Sequence, residues 1–466
     1  MDLKAAPGNR GGFFVLPDLK NRYDLSQRMT KPLSTKRRRG VTAYGTYVAR
    51  LKTLASENQR ADGWNERADA ALDGEASREL RKVIALKTRR RYGAFFTGSK
   101  LAARLAKLGT KLGANSVIYD PSVGMGDLLI AIAKQLPRGR TLDKTLRRWS
   151  RQLTGTDIHP LFVEGAKTRL IILAQQRHGI KSPATKSTVR LFQGIRVADG
   201  LTERDAYAQA THLTLNPPFV LTDAPADCEW AGGRITQAAM FVITALEQAK
   251  PGTELVAILP DVLRSGSFTE KWRKRVEQLA TVKLVKPYGV FDESADVDVF
   301  LLRLIRKKKN SKAKSVAWSA APAQAQSTVG DFFEVHVGRV VPHRDPEKGK
   351  SHPYIHARCV PAWKVMREFG EHRQHEGKVY QAPFVVIRRT SRPGHLYRAA
   401  ATVIAGKQKV AVENHLIVCE PKDKTLRSCL KLKTQLKTEA VNKFLDARIR
   451  CRHLTVGSVA AIPFQP

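Results

Sequence analysis

The feature that most constrains the fold is a repeated pattern in which a short apolar segment ends in one polar residue. Three such segments end in Asp120, Asp157 and Asp199, and a fourth, Leu213–Leu215, ends in Asn216. Helical patterns follow the first, second and fourth segments. Because strands that alternate with helices build parallel sheets with ligands outside the carboxyl ends of the strands, the pattern predicts an α/β fold with a Rossmann-like doubly wound domain.

The turn after the first segment reads Asp120-Pro121-Ser122-Val123-Gly124-Met125-Gly126. It is not a complete dinucleotide-binding glycine motif, and the lysine of a phosphate-binding loop is missing, so a phosphate site is only weakly indicated. An acid beside Gly124 and Gly126 suits a ligand that carries an ammonium group and is approached closely by backbone. Asp157 follows about 37 residues later, where doubly wound folds place an acid on ribose hydroxyls.

The fourth segment ends in Asn216-Pro217-Pro218-Phe219. Each proline fixes its own φ, lacks an N–H group and forces the residue before it into extended geometry. Asn216 is therefore held extended, and its side-chain amide and the Pro217 carbonyl are free to accept hydrogen bonds from an exocyclic amino group. Phe219 offers a flat face on which a planar base could stack. A plain loop that caps a buried strand is the alternative interpretation of the same four residues.

Charge indicates the kind of partner. The 466-residue chain has 81 Lys plus Arg against 42 Asp plus Glu, a formal net charge of +39. Such an excess indicates a polyanion, most often nucleic acid, although a ribosomal or membrane-surface partner would give a similar balance. Five scattered cysteines without a CxxC pair are typical of a cytoplasmic protein with reduced thiols. No apolar run approaches the roughly 20 residues that span a bilayer, so we expect no membrane partner.

Composition divides the chain into four predicted parts. Residues 1–88 are an N-terminal arm and helical accessory region, and residues 89–305 form the α/β domain. Residues 306–329 are a basic linker, and residues 330–466 are a β-rich α+β domain with interleaved cations. We expect the last part to read DNA grooves, with a β-rich protein-interaction domain as the alternative. The candidate DNA-contacting residues are Arg388, Arg389, Arg392, Arg398, Lys407 and Lys409.

One further cluster has the residue types that bind zinc: His352, His356, Cys359, His372 and His375 lie close together in the sequence. Only one thiolate is available among them. Pro353 also argues against a single helix that presents His352 and His356 together. We therefore expect no metal.

The motifs together resemble, in order, those of the amino-group N6-adenine DNA methyltransferases in the γ arrangement. This arrangement occurs in type I modification subunits and in type II enzymes fused to a target-recognition domain. The resemblance covers roughly residues 89 to 305. It rests on Gly93-Ala94-Phe95-Phe96-Thr97, Asp120 to Gly126, Thr156-Asp157-Ile158-His159-Pro160, Ala198-Asp199-Gly200, Leu215 to Phe219 and Ile258-Leu259-Pro260-Asp261. Residues 330–466 are similar, more weakly, to one target-recognition domain of a type I specificity subunit.

The resemblance implies that the chain transfers a methyl group from S-adenosylmethionine to N6 of a flipped adenine in double-stranded DNA. It further implies a role in restriction-modification or a related defence system, with a separate nuclease or defence-complex subunit as a further partner. The implied catalytic residues are Asn216, Pro217, Pro218 and Phe219, with Phe291 packing against the flipped base. The implied cofactor-binding residues are Phe96, Thr97, Asp120, Pro121, Gly124, Gly126, Asp157, Ile158 and Asp199.

Two departures from the family pattern stand out. Gly98 follows Thr97 where proline is usual, and Val123 and Met125 occupy positions where small residues are common. The competing functions are an RNA adenine methyltransferase, a protein glutamine methyltransferase and a catalytically silent DNA-binding subunit. The glutamine enzymes do not need a charge of +39 or a long basic C-terminal domain.

Overall fold

The structure is a computed structural model that describes residues 35–57, 62–179, 190–225, 228–292, 296–308, 311, 313–319 and 327–466. Side chains are described from residue 44 onward. The predicted arm at residues 1 to about 30 and the Ala-, Pro- and Gln-rich part of the predicted linker lie outside the described residues. Within those ranges, no helix combines the length and the apolar character needed to cross a membrane.

The described part of the predicted accessory region begins with the helices α1 (Thr35–Ser56), α2 (Trp64–Leu72) and α3 (Glu75–Val83), and α4 (Leu86–Tyr92) follows them. The helical character expected of this region is therefore seen in the structure. The apolar faces of α1, α2 and α3 share one core with the first half of the α/β domain, and Trp64 Nε1 donates to the Leu54 carbonyl at 3.0 Å inside it. The accessory helices are therefore packed against the α/β domain.

A seven-stranded sheet forms the centre of the molecule. Its strands are β1 (Ile118–Asp120), β2 (Leu153–Asp157), β3 (Ile195–Val197), β4 (His212–Leu215), β7 (Glu254–Pro260), β8 (Ala280–Val290) and β9 (Asp298–Arg306). Their spatial order is β3-β2-β1-β4-β7-β9-β8. Strand β1 pairs in parallel with both β2 and β4, so the strand order reverses beside β1. Only β9 runs in the opposite direction to the other six strands, and it forms an antiparallel hairpin with β8. The predicted doubly wound fold is confirmed.

Helices cover both faces of this sheet. They are α5 (Ser99–Ala106), α6 (Asp127–Ala133), α7 (Leu142–Gln152), α8 (Pro160–His178), α9 (Arg204–Gln209), α10 (Gln237–Gln248), α11 (Asp261–Ser265) and α12 (Glu270–Leu279). A small antiparallel ribbon of β5 (Leu221–Asp223) and β6 (Arg234–Thr236) follows the Asn216 segment. Buried residues from both layers make separate apolar cores on the two faces, as a parallel sheet requires.

The described end of the predicted linker is not a free tether. Val316 N donates to the Val282 carbonyl at 2.9 Å, and the Trp318 ring packs edge-on against Trp272 at 5.6 Å. Trp318 Nε1 also donates to Glu277 at 2.7 Å. Residues 313–319 therefore extend the α/β domain along β8, because aromatic burial outweighs the basic character of the segment before them.

The C-terminal unit, residues 327–466, combines two sheets with four helices. The first sheet, in the order β10-β18-β15-β16-β12, contains β10 (Phe333–Val337), β12 (Val365–Met366), β15 (Phe384–Arg388), β16 (Ala401–Ile404) and β18 (Leu416–Pro421). The second contains β11 (Lys350–Ile355), β13 (His372–His375), β14 (Tyr380–Gln381) and β17 (Lys409–Val412). The helices are α13 (Val329–Phe332), α14 (Leu426–Leu436), α15 (Glu439–Arg448) and α16 (Val456–Ala460), and α14 to α16 share a core with the first sheet.

One helix prediction in this unit is wrong. The sequence by itself predicts a single helix from Lys431 to Leu445, but the structure ends α14 at Leu436 and starts α15 at Glu439. Thr438 lies between them in extended geometry, and its hydroxyl accepts the Val441 N–H at 3.4 Å. A threonine at this position caps a new helix more favourably than it continues an old one.

The C-terminal unit docks on the α/β domain through a buried ion pair. Arg264 and Asp261 of α11 pair at 2.6 Å, and each side chain is 1% exposed. Asp261 also accepts the Arg450 N–H at 2.9 Å, and Arg264 donates to the Ala447 carbonyl at 3.2 Å. The end of α15 is therefore held against the segment that follows β7.

Candidate active site

The four strand-end residues predicted from the sequence lie along one edge of the sheet. Asp120, Asp157 and Asn216 terminate or directly follow β1, β2 and β4, which are adjacent and parallel. Asp199 follows β3, whose last residue pairs with Asp157. The structure therefore brings these four residues to the carboxyl edge of the sheet, where doubly wound folds bind their ligands.

The Asn216 amide is fixed by a distant hydroxyl. Its Nδ2 donates to Thr97 Oγ1 at 2.9 Å, across 119 residues of chain, and Thr97 is almost fully buried. In the structure the nitrogen of the Asn216 amide is the atom that faces Thr97. Its other atom, Oδ1, has no protein partner among the described residues and remains available as an acceptor at the end of β4.

Two aromatic rings stand next to this acceptor. Phe219 and Phe291 make an edge-to-face contact with ring centroids 5.5 Å apart and planes 73° apart. Both side chains are half-buried, so part of each ring remains open to the crevice. The turn that carries Phe291 is closed by a bond from its N–H to the Val297 carbonyl at 2.8 Å. The structure thus brings the predicted base-stacking residue, Phe291, to the Asn216 loop.

The Phe-Phe-Thr segment packs on the same loop. Gly93 has a φ of +64°, and a Cβ added there would lie 2.7 Å from Pro218 Cβ and 3.1 Å from Val220 Cγ2. Only glycine allows this approach in this backbone conformation. The glycine therefore seats the start of the segment on the Pro-Pro turn, from which it continues to Thr97.

Asp120 is buried more deeply than its predicted role requires. Its side chain is 1% exposed, and its Oδ1 accepts the Ser122 N–H at 3.0 Å. Burial raises the pKa of Asp120 to about 8, against the bonds from Ser122 that lower it. In this arrangement Asp120 shapes the glycine turn from below, and direct contact with a ligand ammonium group would require the turn to open.

Asp157 and Asp199 are closer to the surface of the crevice. Asp157 accepts the N–H groups of His159 and Gly124 at 2.9 and 3.0 Å, and burial raises its pKa. Asp199 accepts the Leu201 N–H through one oxygen at 2.9 Å. Beside them, Ile158 and Val197 are 55% and 50% exposed. Two exposed apolar side chains flanked by carboxylates suit a planar, hydroxyl-bearing ligand, and Val197 is a lining residue that the sequence analysis missed.

The glycines of the turn serve packing. A Cβ on Gly124 (φ +49°) would lie 3.3 Å from the Phe96 ring, and one on Gly126 (φ +83°) would lie 3.1 Å from Ala166 Cβ. Phe96 itself packs edge-on against Phe162 at 5.1 Å. The Phe96 ring thus fills the space beside Gly124 that a Cβ would otherwise occupy.

The two bulky residues of the turn point away from the crevice. Val123 and Met125 are almost fully buried. A Cβ on Gly155 would meet Val123 Cβ at 3.0 Å, and one on Gly165 would meet Met125 Cε at 2.2 Å. The larger side chains occupy space that these two glycines leave open, so the departure from the family pattern is accommodated within the core.

The predicted DNA-contacting residues do not form one patch. Arg398 is 0% exposed, and its guanidinium bonds Asp446 at 2.7 Å, the Ile449 and Cys451 carbonyls and Ser391, so it is a buried structural residue and that prediction is corrected. The other five divide between opposite ends of the β15–β16 pair, because Phe384 pairs with Ile404 and Ile387 with Ala401. Arg388, Arg389 and Arg392 lie at one end, and Lys407 and Lys409 at the other.

The arginine end lies next to the crevice. Ser391 N donates to the Arg452 carbonyl at 2.8 Å, and the Arg452 side chain pairs with Asp296 in the turn that carries Phe291. Arg392 and Arg452 are exposed there. A cationic surface thus continues from the C-terminal unit to the mouth of the predicted base pocket.

The histidine-rich region forms a hydrogen-bonded cluster that differs from the set weighed in the sequence. Ligand atoms of His356, Cys359 and Glu371 lie within 4.8 Å of one another. His356 Nδ1 accepts the Arg358 N–H at 3.2 Å, so its Nε2 carries the proton and donates to Glu371 at 2.9 Å. Among the described residues, no such group includes His352, His372 or His375.

The strand order and the acid-lined carboxyl edge define a Rossmann-like methyltransferase fold. The sequence profile of the N-6 DNA Methylase family matches residues 78–330, and the chain belongs to this family. The predicted family is therefore confirmed, and the methyl donor of this family is S-adenosylmethionine. No curated protein sequence shows significant similarity to the chain.

Solved structures share the fold at low identity. The type IIL restriction-modification enzyme MmeI, solved in complex with DNA, matches with a TM-score of 0.51 and 11% identity, covering 82% of this chain and 69% of that one. The type IIG restriction endonuclease BpuSI gives 0.40 and 14%, and the match covers 85% of this chain but 60% of that one. A putative class I S-adenosylmethionine-dependent methyltransferase from Listeria monocytogenes gives 0.35 and 15%, covering 59% and 91%. At these identities the likeness concerns the fold alone.

Proposed function

We propose that this chain is a site-specific methyltransferase that modifies N6 of a flipped adenine in double-stranded DNA and takes the methyl group from S-adenosylmethionine. We also propose that it works in restriction-modification or a related defence system and selects its site with its own C-terminal unit. The observation that carries the proposal is the Asn216 amide, whose nitrogen is held by Thr97 at 2.9 Å while its oxygen is left for a substrate.

Two oxygens carry the catalytic role. Asn216 Oδ1 and the Pro217 carbonyl, which has no hydrogen-bond partner among the described residues, can accept the two hydrogens of an adenine amino group. These bonds draw the nitrogen lone pair out of conjugation with the ring and stabilise the positive charge that grows on the nitrogen. When bound, S-adenosylmethionine supplies an electrophilic methyl group. The contribution of the protein is therefore positioning and electrostatics.

The aromatic pair provides the place for the base. A flipped adenine would stack on Phe219, as bases do on aromatic side chains in other nucleic-acid sites, and Phe291 would close the second side. Because the two rings now touch edge-to-face at 5.5 Å, the turn that carries Phe291 would have to yield when a base enters. Contact of Arg452 with Asp296 in that turn offers a link between DNA binding and this movement.

The cofactor would occupy the edge from β1 to β3. We assign the methionine part to Phe96, Thr97, Asp120, Pro121, Gly124 and Gly126, the ribose to Asp157, and the adenine to Ile158 and Asp199. The exposure of Ile158 and Val197 beside the two carboxylates supports this assignment. Pro121 would act by fixing the shape of the turn, since it is buried and its carbonyl accepts Thr156 Oγ1 at 3.3 Å.

The DNA would cross the crevice between two basic surfaces. One is the arginine end of the C-terminal unit, with Arg389, Arg392 and Arg452, and the other is α4, whose exposed Arg90 and Arg91 precede the glycine seated on Pro218. Cations on both sides of a cleft steer and hold a phosphate backbone. We propose that DNA cleavage is carried out by a separate nuclease or defence-complex subunit that works with this chain.

A methyl-transfer assay tests the proposal directly. The purified chain is incubated with methyl-labelled S-adenosylmethionine and either long duplex DNA or RNA, and the label is identified after digestion to nucleosides. We expect N6-methyladenine in DNA, lost in Asn216→Ala and kept in Asn115→Ala, a control that makes the same change at an exposed loop position. Label confined to RNA would move the chain to the RNA adenine methyltransferases. Salt-dependent DNA binding without label on either polymer would indicate a silent DNA-binding subunit.

A further inference from the structure

Gly98 makes a contact that proline could not make. It occupies the position where proline usually follows the Phe-Phe-Thr motif, and its backbone lies at φ +69° and ψ 151°. Its N–H donates to Asp127 Oδ2 at 3.2 Å. Proline fixes φ near −65° and has no N–H, so neither the conformation nor the bond is open to it. Glycine at position 98 thus permits a hydrogen bond to Asp127, which lies on a different element.

Asp127 divides its two carboxylate oxygens between two partners. It is the first residue of α6, directly after the glycine turn, and its second oxygen, Oδ1, accepts Arg169 Nη1 at 2.8 Å. Arg169 lies in α8 with its side chain 0% exposed. It also donates to the Met125 carbonyl in the glycine turn and, through Nε, to the Ala71 carbonyl at 2.7 Å. One buried arginine therefore ties Asp127 to the turn and to the accessory helix α2.

These contacts connect Asp127 and Arg169 to the side-chain amide of Asn216. Gly98 directly follows Thr97, and Thr97 Oγ1 receives Asn216 Nδ2 at 2.9 Å. The position of the Thr97 hydroxyl thus depends on where Asp127 holds the next residue of the chain. Arg169 fixes Asp127 in turn, because a buried guanidinium with three acceptors has little freedom to move.

We propose that Asp127 and Arg169 are positioning residues that set the Asn216 amide for methyl transfer through Gly98 and Thr97. The inference rests on the catalytic role proposed for Asn216. In this relay the carboxylate is needed for its two acceptor oxygens. Asparagine at residue 127 would keep the shape but offer one oxygen, so its amide nitrogen would face either the Gly98 N–H or the Arg169 guanidinium.

A double-mutant cycle tests whether Asp127 positions the Asn216 amide through Thr97 or only stabilises the fold. We expect Asp127→Asn and Thr97→Val each to lower kcat, on the order of 10- to 100-fold for Asp127→Asn, since small misplacements of reacting groups are that costly. Combined, the two changes should cost little more than the larger one, because both break the same relay. Thr97→Ser, which keeps the hydroxyl, should restore most of the rate. Fully multiplicative losses would overturn the proposal.

Asp446→Asn is the matched control. Asp446 also accepts a buried arginine, Arg398 Nη1 at 2.7 Å, and a glycine N–H, from Gly394 at 2.9 Å, but it lies in the C-terminal unit. Its effect on kcat should multiply with that of Thr97→Val. Non-additivity equal to that of Asp127→Asn would mean that any buried aspartate couples in this way, and the proposal would fail.

Hydrogen exchange provides a readout that needs no methyl transfer. Peptides that cover residues 93–99 should lose protection in Asp127→Asn and in Gly98→Pro, while peptides from the C-terminal unit keep theirs. If the unmodified chain transferred no methyl group, the proposed function would fail. The exchange result would still test whether Asp127 holds the segment that contains Gly98 and Thr97. Full protection in either variant, or full activity of Gly98→Pro in an active enzyme, would overturn it.

Discussion

Replacing Asp120 with asparagine should remove a dependence of stability on pH. Burial raises the pKa of Asp120 from 3.8 to about 8 in the folded chain, while the unfolded chain exposes this carboxyl to water. Between these two values the folded chain holds a proton that the unfolded chain has lost. The free energy of unfolding therefore falls as the pH rises through this window and levels off above about pH 8.

The magnitude follows from the separation of the two pKa values. Each unit corresponds to about 1.4 kcal/mol, so a separation of about 4 units corresponds to about 6 kcal/mol across the window. This is a ceiling, because local relaxation and water penetration reduce the cost of burying the ionised form. The pKa of Asp157 is also raised by burial, so it contributes in the same direction in both the wild type and the variant.

Urea unfolding at several values between pH 5 and pH 9 measures the effect. Asp120→Asn stays neutral and can still accept the Ser122 N–H, so its stability relative to the wild type should increase with pH until about pH 8. Asp223→Asn, at an exposed position in β5, is the control and should run parallel to the wild type. A constant difference between Asp120→Asn and the wild type at all pH values would refute the argument that Asp120 is folded in its neutral form.

The remaining predictions concern the base pocket, the basic surface and the docking of the C-terminal unit. Phe219→Ala should lower kcat/KM for target DNA about 5- to 150-fold by removing a stacking face worth about 1–3 kcal/mol, and an unchanged kcat/KM would contradict the stacking role. Arg392→Gln should weaken DNA binding and reduce the slope of log K against log salt by about 1. Arg398→Gln should instead lower the unfolding temperature. If Arg392→Gln destabilised the fold and Arg398→Gln weakened DNA binding, the assignment of Arg392 to the DNA surface and of Arg398 to the core would be contradicted. Arg264→Met should leave Asp261 buried and unpaired and cost about 3–5 kcal/mol in denaturant unfolding, and a loss below about 1 kcal/mol would mean that the pair does not anchor the interface.

The order of strands and helices was predictable because it depends on local pattern. Apolar runs that end in Asp120, Asp157 and Asn216, each followed by a helical pattern, are sufficient to place these residues at strand ends. Since the strands are parallel, that alone puts the side chains on one edge of the sheet. The same local logic failed at Thr438, where a capping residue interrupts an apolar spacing that otherwise continues.

Other features were decided only by contacts between distant parts of the chain. Arg398 and Arg392 look equivalent in the sequence, but only the fold brings Asp446 and two carbonyl groups to Arg398 and buries it. Asp127 and Arg169 lie 42 residues apart, and the one available signal was an arginine directly before the apolar run Leu170 to Ala174 in α8. A buried charge requires partners, and the sequence does not say which partners the fold supplies.

The sequence by itself thus determined the family, the α/β fold and the identity of the strand-end residues, because short motifs and periodicity encode local backbone geometry. The tertiary structure decided how those residues act. In the folded chain the amide nitrogen of Asn216 faces the hydroxyl of Thr97, 119 residues away. Asp120 is buried below the crevice, and the Phe96 ring fills the space beside Gly124. These outcomes depend on packing between elements, which no local pattern specifies.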